Sequence, residues 1–298
     1  MKKLLSNCKI CPHNCNVNRL EGKKGRCKCD NKIKIALASL HFYEEPCISG
    51  KNGSGAVFFS NCNLNCIYCQ NYEISQESKG KEITIERLAQ VFLKHQKNGA
   101  HNINLVTPTM YVPQIIESIK IAKANGLNIP IIYNSNGYEN VETIKMLNGY
   151  IDIYLPDFKY YSNEIGKKYS NVENYFEIAI LAIKEMYNQV GAPVFDENGL
   201  IKNGLIIRHL ILPNHTQNSK NVLKWIKENM PSDVYVSIMA QYFPTYKAKQ
   251  ESLLNRKLTN KEYKEIENYL FILNLENGYM QELGEHEEEY VPKFDLTD

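Results

Sequence analysis

From about residue 55 onward, short apolar runs alternate with amphipathic segments. Six runs have the length and composition of buried strands, and each is followed by a segment with apolar residues at helical spacing. In chain order the strand-like runs are GAVFFS, NINLVT, PIIYNSNG, IDIYLPDFK, GLIIRHLIL and VYVSIMAQ. Strands that alternate with helices of about 10 to 15 residues indicate parallel βα units. The pattern predicts an α/β fold built as an incomplete or complete parallel barrel, with a doubly wound open sheet as the alternative.

Two kinds of residue mark the predicted helix ends. Thr84 precedes the apolar pattern of ITIERLAQVFLKHQKNGA and is the predicted N-cap of that helix. Gly99, Gly126 and Gly149 follow three of the helical segments, where a helix C-terminus often needs a residue in the left-handed conformation. These local signals agree with the strand and helix assignment.

The cysteines divide the chain into two regions. All nine cysteines lie at or before Cys69, and the first 48 residues are cysteine-rich and weakly periodic. An odd number of cysteines in a reducing compartment favours metal ligation over disulfides. We therefore predict a small cysteine-rich metal-binding extension at residues 1–48 and a barrel domain at residues 49–298.

Composition excludes several classes of partner. Hydrophobic residues make up 43% of the chain, charged residues 23%, and the formal net charge is +2. This balance is typical of a soluble globular protein and gives little reason to expect a nucleic acid or a membrane as a partner. The N-terminus lacks the apolar run of a signal peptide, and no segment reaches the roughly 18 apolar residues of a membrane span. We expect a soluble, cytoplasmic protein whose acidic stretch at residues 281–290 is a solvated tail.

Polar residues collect at the carboxyl ends of the predicted strands. They are the cysteine loop after Phe59, TPT at 107–109, NSNG at 134–137, PDFK at 156–159, RHLILPNH at 208–215 and AQYFP at 240–244. In a parallel barrel these ends form the rim on which active sites are built. Taken singly, each motif is at least as well explained as an ordinary turn. Together they predict one site at this rim.

The first of these loops contains three cysteines, an unusual number of ligands for a metal site. Cys62, Cys66 and Cys69 form a Cys-x-x-x-Cys-x-x-Cys run within SNCNLNCIYCQNYEIS. Structural zinc and ordinary electron-transfer clusters take four protein ligands, so three thiolates leave one coordination position open. This spacing favours a reactive iron-sulfur centre, with structural zinc and chance clustering as alternatives.

On this loop and the barrel pattern around it, the chain resembles the radical S-adenosylmethionine superfamily. The resemblance implies a partial (β/α)6 barrel with a four-iron, four-sulfur ([4Fe-4S]) cluster on the three cysteines and S-adenosylmethionine on the fourth iron. It also implies reductive cleavage to methionine and a 5′-deoxyadenosyl radical, which abstracts a hydrogen atom. Within the superfamily, CNLNCIYCQN, NSNG and PDFK resemble the pyruvate formate-lyase activating enzymes, above all their PflX-type branch.

The resemblance also assigns residues to S-adenosylmethionine. Tyr68 would pack against the adenine, and Thr107 and Thr109 would have to replace the Gly-Gly-Glu-like segment that holds the methionyl amine. Asn134 stands where the activating enzymes have an aspartate, which weakens a cation site there. The remaining candidates for the ribose, the methionyl carboxylate and their surroundings are Asn71, Ser135, Asn136, Asp157, Lys159, Arg208 and Gln241. No residue is assigned as catalytic.

A second group of thiols lies upstream. Its members are Cys8, Cys11, Cys15 and Cys27, with Cys29 as a fifth thiol. Four thiolates close a tetrahedral zinc site or hold a second iron-sulfur cluster, and we favour zinc because the paired spacing resembles zinc ribbons. His13 lies between these cysteines and is expected to be an exposed loop residue.

The leading functional hypothesis is a radical enzyme that abstracts hydrogen from a protein or peptide, as in glycyl-radical activation. Its electron donor would be a reduced flavodoxin or a ferredoxin-type protein. Radical modification of a small molecule and a non-catalytic iron- or redox-sensing protein are the alternatives. We expect His41, Glu44 and Glu45, near the start of the first predicted strand, to form a surface ion cluster, although they could face the site.

Overall fold

The computed structural model describes residues 2–284, 292 and 294, and its strands form one sheet. They are β1 (Ile33–His41), β2 (Ser54–Phe59), β3 (Lys81–Ile83), β4 (Ile103–Val106), β5 (Ile131–Ser135), β6 (Ile153–Pro156), β7 (Val194–Phe195), β8 (Ile201–Leu210), β9 (Tyr235–Met239) and β10 (Gly278–Met280). Across the sheet their order is β10-β9-β8-β6-β5-β4-β2-β1-β3, and β7 pairs with β8 beside this row.

The main part of the sheet is parallel and follows chain order. β2, β4, β5, β6, β8, β9 and β10 are consecutive parallel neighbours. A doubly wound sheet reverses its strand order near the middle, and this sheet does not. Because β10 and β3 end the row in the described part of the chain, the barrel is partial. The predicted partial barrel is confirmed, and its six predicted strands are β2, β4, β5, β6, β8 and β9.

The described residues form ten α-helices, most of which lie in the connections between parallel strands. They are α1 (Lys2–Ser6), α2 (Pro46–Ser49), α3 (Tyr72–Ser75), α4 (Ile85–Lys97), α5 (Val112–Ala124), α6 (Val141–Met146), α7 (Asn163–Ser170), α8 (Tyr175–Val190), α9 (Thr216–Asn229) and α10 (Asn260–Leu273). The six helices predicted from the sequence are α4, α5, α6, α8, α9 and α10. Strands β2 and β5 are buried along their whole length, as expected when helices cover the outer face of a parallel sheet and side chains fill its inner face.

The predicted helix-end residues have the expected roles. The Thr84 hydroxyl accepts a hydrogen bond from the backbone N–H of Arg87 at 3.1 Å. Gly99, Gly126 and Gly149 have φ values of 84°, 94° and 78°, which an L-residue adopts only under strain. These predictions are confirmed.

The residues before β2 are integrated with the barrel. β1 lies N-terminal to residue 48 but pairs antiparallel with β2, and β3 pairs antiparallel with β1. Further upstream, the Arg19 Nη1 donates a hydrogen bond to the Met110 carbonyl at 2.7 Å, and the Thr143 hydroxyl donates to the Ile10 carbonyl at 2.6 Å. The division of the chain at residue 48 therefore stays a prediction.

Within the described residues, no helix has both the length and the apolar character needed to cross a bilayer. Most of the predicted acidic tail, from residue 285 onward, lies outside the described residues.

Candidate active site

A cavity of about 530 Å³ opens at the carboxyl edge of the parallel strands. Its lining includes the three thiols of the cysteine loop and nine of the ten residues predicted to contact S-adenosylmethionine. These residues are Cys62, Cys66, Cys69, Tyr68, Asn71, Thr107, Ser135, Asn136, Asp157, Lys159, Arg208 and Gln241. The parallel topology explains the convergence, because each strand delivers its following residues to the same edge.

The cysteine loop is fixed by backbone hydrogen bonds. Asn61, with φ of 70°, turns the chain out of β2, and its N–H donates to the Ile74 carbonyl at 2.8 Å. Further along the loop, the N–H of Ile67 donates to the carbonyl of Tyr169 at 2.9 Å. Residues at the end of α7 therefore help to anchor the loop.

Each sulfur of the loop has at least one polar side chain beside it. Asn136 Nδ2 donates to Cys62 Sγ at 3.3 Å. Ser170 Oγ lies 2.9 Å from Cys66 Sγ, and Ser75 Oγ lies 3.2 Å from Cys69 Sγ. These three contacts come from different parts of the chain and orient the sulfurs toward the cavity.

The thiols are costly to ionise without a cation. Burial is the main reason that the pKa of Cys66 rises to about 11, and it also raises the pKa of Cys62 and of Cys69. Interaction with the neighbouring thiols adds to the rise at Cys62 and Cys66. A bound iron cluster supplies the positive charge that such thiolates require.

The donor set fits a cluster better than a single ion. No three His, Cys, Asp or Glu side chains of the described residues are arranged to hold one metal ion. The ligands of a four-iron cluster each bind a different iron, so they lie farther apart than the ligands of one ion. Three thiols that line one cavity, each beside a polar side chain, provide the three protein ligands of a cluster with one open iron.

A charged network lines the same cavity as the thiols. Arg208 on β8 donates from Nε to Asp157 Oδ1 and from Nη1 to Glu44 Oε2, both at 3.0 Å. Its Nη2 donates to Asn134 Oδ1 at 2.6 Å, and Lys159 Nζ lies 2.7 Å from Asp157 Oδ2. Burial opposes ionisation of Asp157, but the charges of Lys159 and Arg208 outweigh it and hold the pKa of this carboxyl below its usual value. The cavity therefore presents preorganised charges to a polar ligand.

The expectation of a surface ion cluster near the first strand is wrong. His41, Glu44 and Glu45 all line the cavity. β1 is antiparallel to β2 and ends beside Ser54, at the amino edge of the parallel strands, and the segment after it reaches the cavity from that edge. Glu44 is ion-paired with Arg208, and Glu45 is 8% exposed. Burial raises the pKa of Glu45.

Thr109 is the predicted residue that the structure does not bring to the cavity. Its side chain is fully buried, and its hydroxyl donates to Glu139 Oε1 at 2.6 Å. The Tyr133 hydroxyl donates to Glu139 Oε2 at 3.3 Å. Burial raises the pKa of Glu139 to about 8. Thr107, with φ of 59°, lines the cavity, so the hydroxyl available there is that of Thr107.

Sequence reasoning missed a hydrogen-bonded chain behind the thiols. The hydroxyls of Tyr68 and Tyr160 are hydrogen-bonded to each other. Tyr160 Oη lies 2.7 Å from Ser170 Oγ, which in turn contacts Cys66 Sγ. In the order Tyr68, Tyr160, Ser170, Cys66, the Tyr68 hydroxyl donates, and the Tyr160 and Ser170 hydroxyls each accept one hydrogen bond and donate one. These positions lack a local signal because α7 brings Ser170 to Cys66 across 104 residues.

The upstream thiols lie beside the barrel. Cys8, Cys11 and Cys27 are buried, and Cys15 is half-buried. The absence of any arranged three-ligand group within the described residues applies to them too, so zinc or a second cluster there stays a prediction. The expectation of an exposed His13 is wrong, because its Nε2 lies 2.7 Å from the Asn63 carbonyl and its side chain is half-buried.

A partial parallel barrel with a three-thiol loop at its carboxyl edge defines a class of iron-sulfur enzyme. Residues 56–225, more than half of the chain, match the family model of the Radical SAM superfamily. The chain belongs to this superfamily, whose enzymes use an iron-sulfur cluster to cleave S-adenosylmethionine reductively.

Individual proteins agree with this membership. The chain is 36% identical over 279 residues to an uncharacterized protein of Methanocaldococcus jannaschii. The alignment covers 90% of this chain and 75% of that protein. It is 26% identical over 201 residues to the pyruvate formate-lyase-activating enzyme of Clostridium pasteurianum, which spans 64% of this chain and 75% of that enzyme. The second similarity supports the predicted relation to activating enzymes at low identity.

Solved structures share the fold. The structure described as native anSMEcpe with bound AdoMet aligns with a TM-score of 0.51 and 17% identity, over 74% of this chain and 61% of that chain. At this identity the similarity shows the fold alone. The present chain spans about three fifths of that protein's length.

Proposed function

We propose that the chain uses a cluster on Cys62, Cys66 and Cys69 to cleave S-adenosylmethionine and abstract a hydrogen atom from a protein or peptide. One observation carries the proposal. The three thiols open onto the same cavity as the charged network and nine of the ten candidate residues for S-adenosylmethionine. Family membership supports the cleavage chemistry, and the cavity supports the residue assignments.

When bound, the cluster supplies one electron that breaks a carbon-sulfur bond of the sulfonium and yields methionine and a 5′-deoxyadenosyl radical. The chain's own residues bind and orient the reactants. Lys159 and Arg208 present positive charge to the methionyl carboxylate, and the buried ring of Tyr68 provides an apolar surface for the adenine. We assign the ribose to the amide of Asn136 and the hydroxyl of Ser135, since both residues line the cavity.

Exposed aromatic side chains on the cavity lining support a protein or peptide substrate. Phe42 is 52% exposed and Tyr43 is 47% exposed, and both lie on the cavity lining at the end of β1. Large aromatic side chains are enriched at protein interfaces, and exposing them costs solubility. The relative from Clostridium pasteurianum carries a name that denotes action on another enzyme. On these grounds the radical is directed at a polypeptide.

Deuterium transfer tests the substrate class. Candidate partner proteins and peptides are labelled with deuterium at the α-carbons of glycine and incubated anaerobically with the reduced holoenzyme and S-adenosylmethionine. The proposal expects deuterium in 5′-deoxyadenosine, and it expects a Cys66→Ala variant to give none. Deuterium arriving from a labelled small molecule but from no polypeptide contradicts the substrate class.

A second measurement tests the binding residues. Lys159→Met removes the cation nearest Asp157, and we expect it to weaken S-adenosylmethionine binding about tenfold, the loss of roughly one charge-assisted hydrogen bond. Lys224→Met, on the exposed face of α9, is the control. Equal affinity in both variants contradicts the role of Lys159.

A further inference from the structure

The N-terminal residues carry a positive charge that the rest of the chain does not. Residues 1–34 contain ten Lys or Arg and two Asp or Glu, whereas the whole chain contains 35 and 33. The remaining residues are therefore net negative, although the chain as a whole is close to neutral. A charge separated in this way steers an oppositely charged partner to one face of a protein.

Four of these lysines surround a second cavity, which has a volume of about 280 Å³. Lys24, Lys28 and Lys32 are exposed, and Lys34 is half-buried. Lys32 is paired with Glu82 at 2.7 Å. The lysines exceed the acidic residues on this lining, so the opening is positively charged. We call these four lysines the basic rim.

The floor of this second cavity adjoins the cysteine loop. Cys29 Sγ lies 3.4 Å from Tyr111 Oη, and Asn61 Nδ2 donates to the same oxygen at 3.3 Å. The Tyr111 hydroxyl donates to the Ser60 carbonyl at 3.1 Å. Because Asn61 directly precedes Cys62, the floor is one residue from the first thiol of the candidate active site. Among the described residues none lines both cavities, so the two openings give separate approaches to the loop.

We propose that the basic rim is the docking site of an acidic one-electron donor protein. The inference rests on the proposed function, since that function requires an electron at the cysteine loop. The first cavity must admit S-adenosylmethionine and substrate. The second cavity reaches the same cysteine loop without passing through the first cavity. In each turnover the donor is oxidised by one electron. That electron converts one S-adenosylmethionine into methionine and a 5′-deoxyadenosyl radical, so the reaction needs no further reductant.

Charge reversal at the rim tests the proposal. Lys24→Glu/Lys28→Glu changes two exposed side chains that take no part in the candidate active site. The rate of 5′-deoxyadenosine formation by the holoenzyme is measured with reduced flavodoxin, an acidic protein, and separately with dithionite. We expect the flavodoxin concentration for half-maximal rate to rise at least tenfold. The dithionite-driven rate should stay within twofold of wild type.

A matched variant controls for net charge. Lys224→Glu/Lys227→Glu makes the same charge change on exposed positions of α9, and its flavodoxin-driven rate should match that of the wild type. Added salt should lower the wild-type flavodoxin-driven rate more steeply than that of the rim variant. An unaffected rim variant, or equal losses in the two double variants, overturns the docking site.

The remaining outcomes are distinguishable. If millimolar inorganic phosphate lowers the dithionite-driven rate of the wild type but not that of the rim variant, the cavity is a small-anion site and the docking proposal is wrong. If dithionite drives no cleavage in the wild-type holoenzyme, the proposed function fails, irrespective of the rim.

Discussion

Replacing Ser170 by alanine removes a hydroxyl from the immediate surroundings of one cluster ligand. Ser170 Oγ lies 2.9 Å from Cys66 Sγ and 2.7 Å from Tyr160 Oη, and the residue is fully buried. When Cys66 holds the cluster as a thiolate, the Tyr160 hydroxyl donates to Ser170 Oγ, and the Ser170 hydroxyl donates to Cys66 Sγ. The substitution deletes one of the four polar side-chain contacts that the described residues make to the loop sulfurs.

The magnitude follows from the charge of the acceptor. A hydrogen bond to a charged group contributes about 1.5 to 3 kcal/mol. The reduced cluster carries one more negative charge than the oxidised cluster, so the bond is stronger in the reduced state. A difference of about 1 kcal/mol between the two states corresponds to about 40 mV for one electron. Ser170→Ala should therefore make the reduction potential more negative by about 40 mV.

The assay is an anaerobic potentiometric titration of the reconstituted cluster followed by its electron paramagnetic resonance signal. Tyr160→Phe keeps Ser170 but removes its donor, so it should shift the potential in the same direction by a smaller amount. Ser219→Ala is the control. Its hydroxyl is also buried, but it is hydrogen-bonded to His209 Nε2 at 2.9 Å and not to a loop sulfur. If Ser170→Ala and Ser219→Ala give the same potential as the wild type, the assignment of Ser170 as a cluster-tuning residue is refuted.

Three further outcomes check other parts of the account. Cys66→Ala should lose the cluster's absorbance and all cleavage, whereas Cys8→Ala should retain both; equal losses contradict two separate centres. Arg208→Met leaves the Glu44 carboxylate without its cation and Asp157 with Lys159 alone, so it should lower the free energy of unfolding by about 3 to 5 kcal/mol in chemical denaturation; an unchanged midpoint contradicts this. Burial raises the pKa of Glu139 to about 8. Between about pH 5 and pH 8 the Glu139 carboxyl is ionised in the unfolded state but protonated in the folded state. The free energy of unfolding of the wild type should therefore fall as the pH rises through this range, by about 4 kcal/mol at most. Glu139→Gln should flatten that slope, and parallel pH profiles contradict the explanation.

The parts of the fold that the sequence predicted are those with local signals. The parallel strands are continuous apolar runs, and Thr84 and Gly99 mark helix ends by their own conformational preferences. The elements that were missed are short or lie upstream of the apolar alternation. β10 has three residues and α7 has eight. β1 lies within the cysteine-rich residues 1–48, which were predicted to form a separate extension. Its pairing with β2 was therefore not predicted.

The candidate site divides along the same line. The strand-end motifs meet in one cavity because parallel topology alone brings them together, and topology was predicted correctly. Pairings between distant residues were not predictable. Arg208 and Glu44 are 164 residues apart, and their ion pair turns a segment expected on the surface into cavity wall. Thr109 was predicted to face the cavity, but its hydroxyl is hydrogen-bonded to the buried Glu139. Here an unpredicted pairing keeps a residue away from the site.

The central claim is that the three thiols at the barrel edge hold a cluster that cleaves S-adenosylmethionine. The most direct test reconstitutes the full chain with iron and sulfide under anaerobic conditions, reduces it with dithionite, adds S-adenosylmethionine and quantifies products by liquid chromatography with mass spectrometry. The account predicts 5′-deoxyadenosine and methionine in equal amounts from the wild type and neither from Cys62→Ala, Cys66→Ala or Cys69→Ala. A wild-type protein that binds its cluster and S-adenosylmethionine yet forms no 5′-deoxyadenosine contradicts the account.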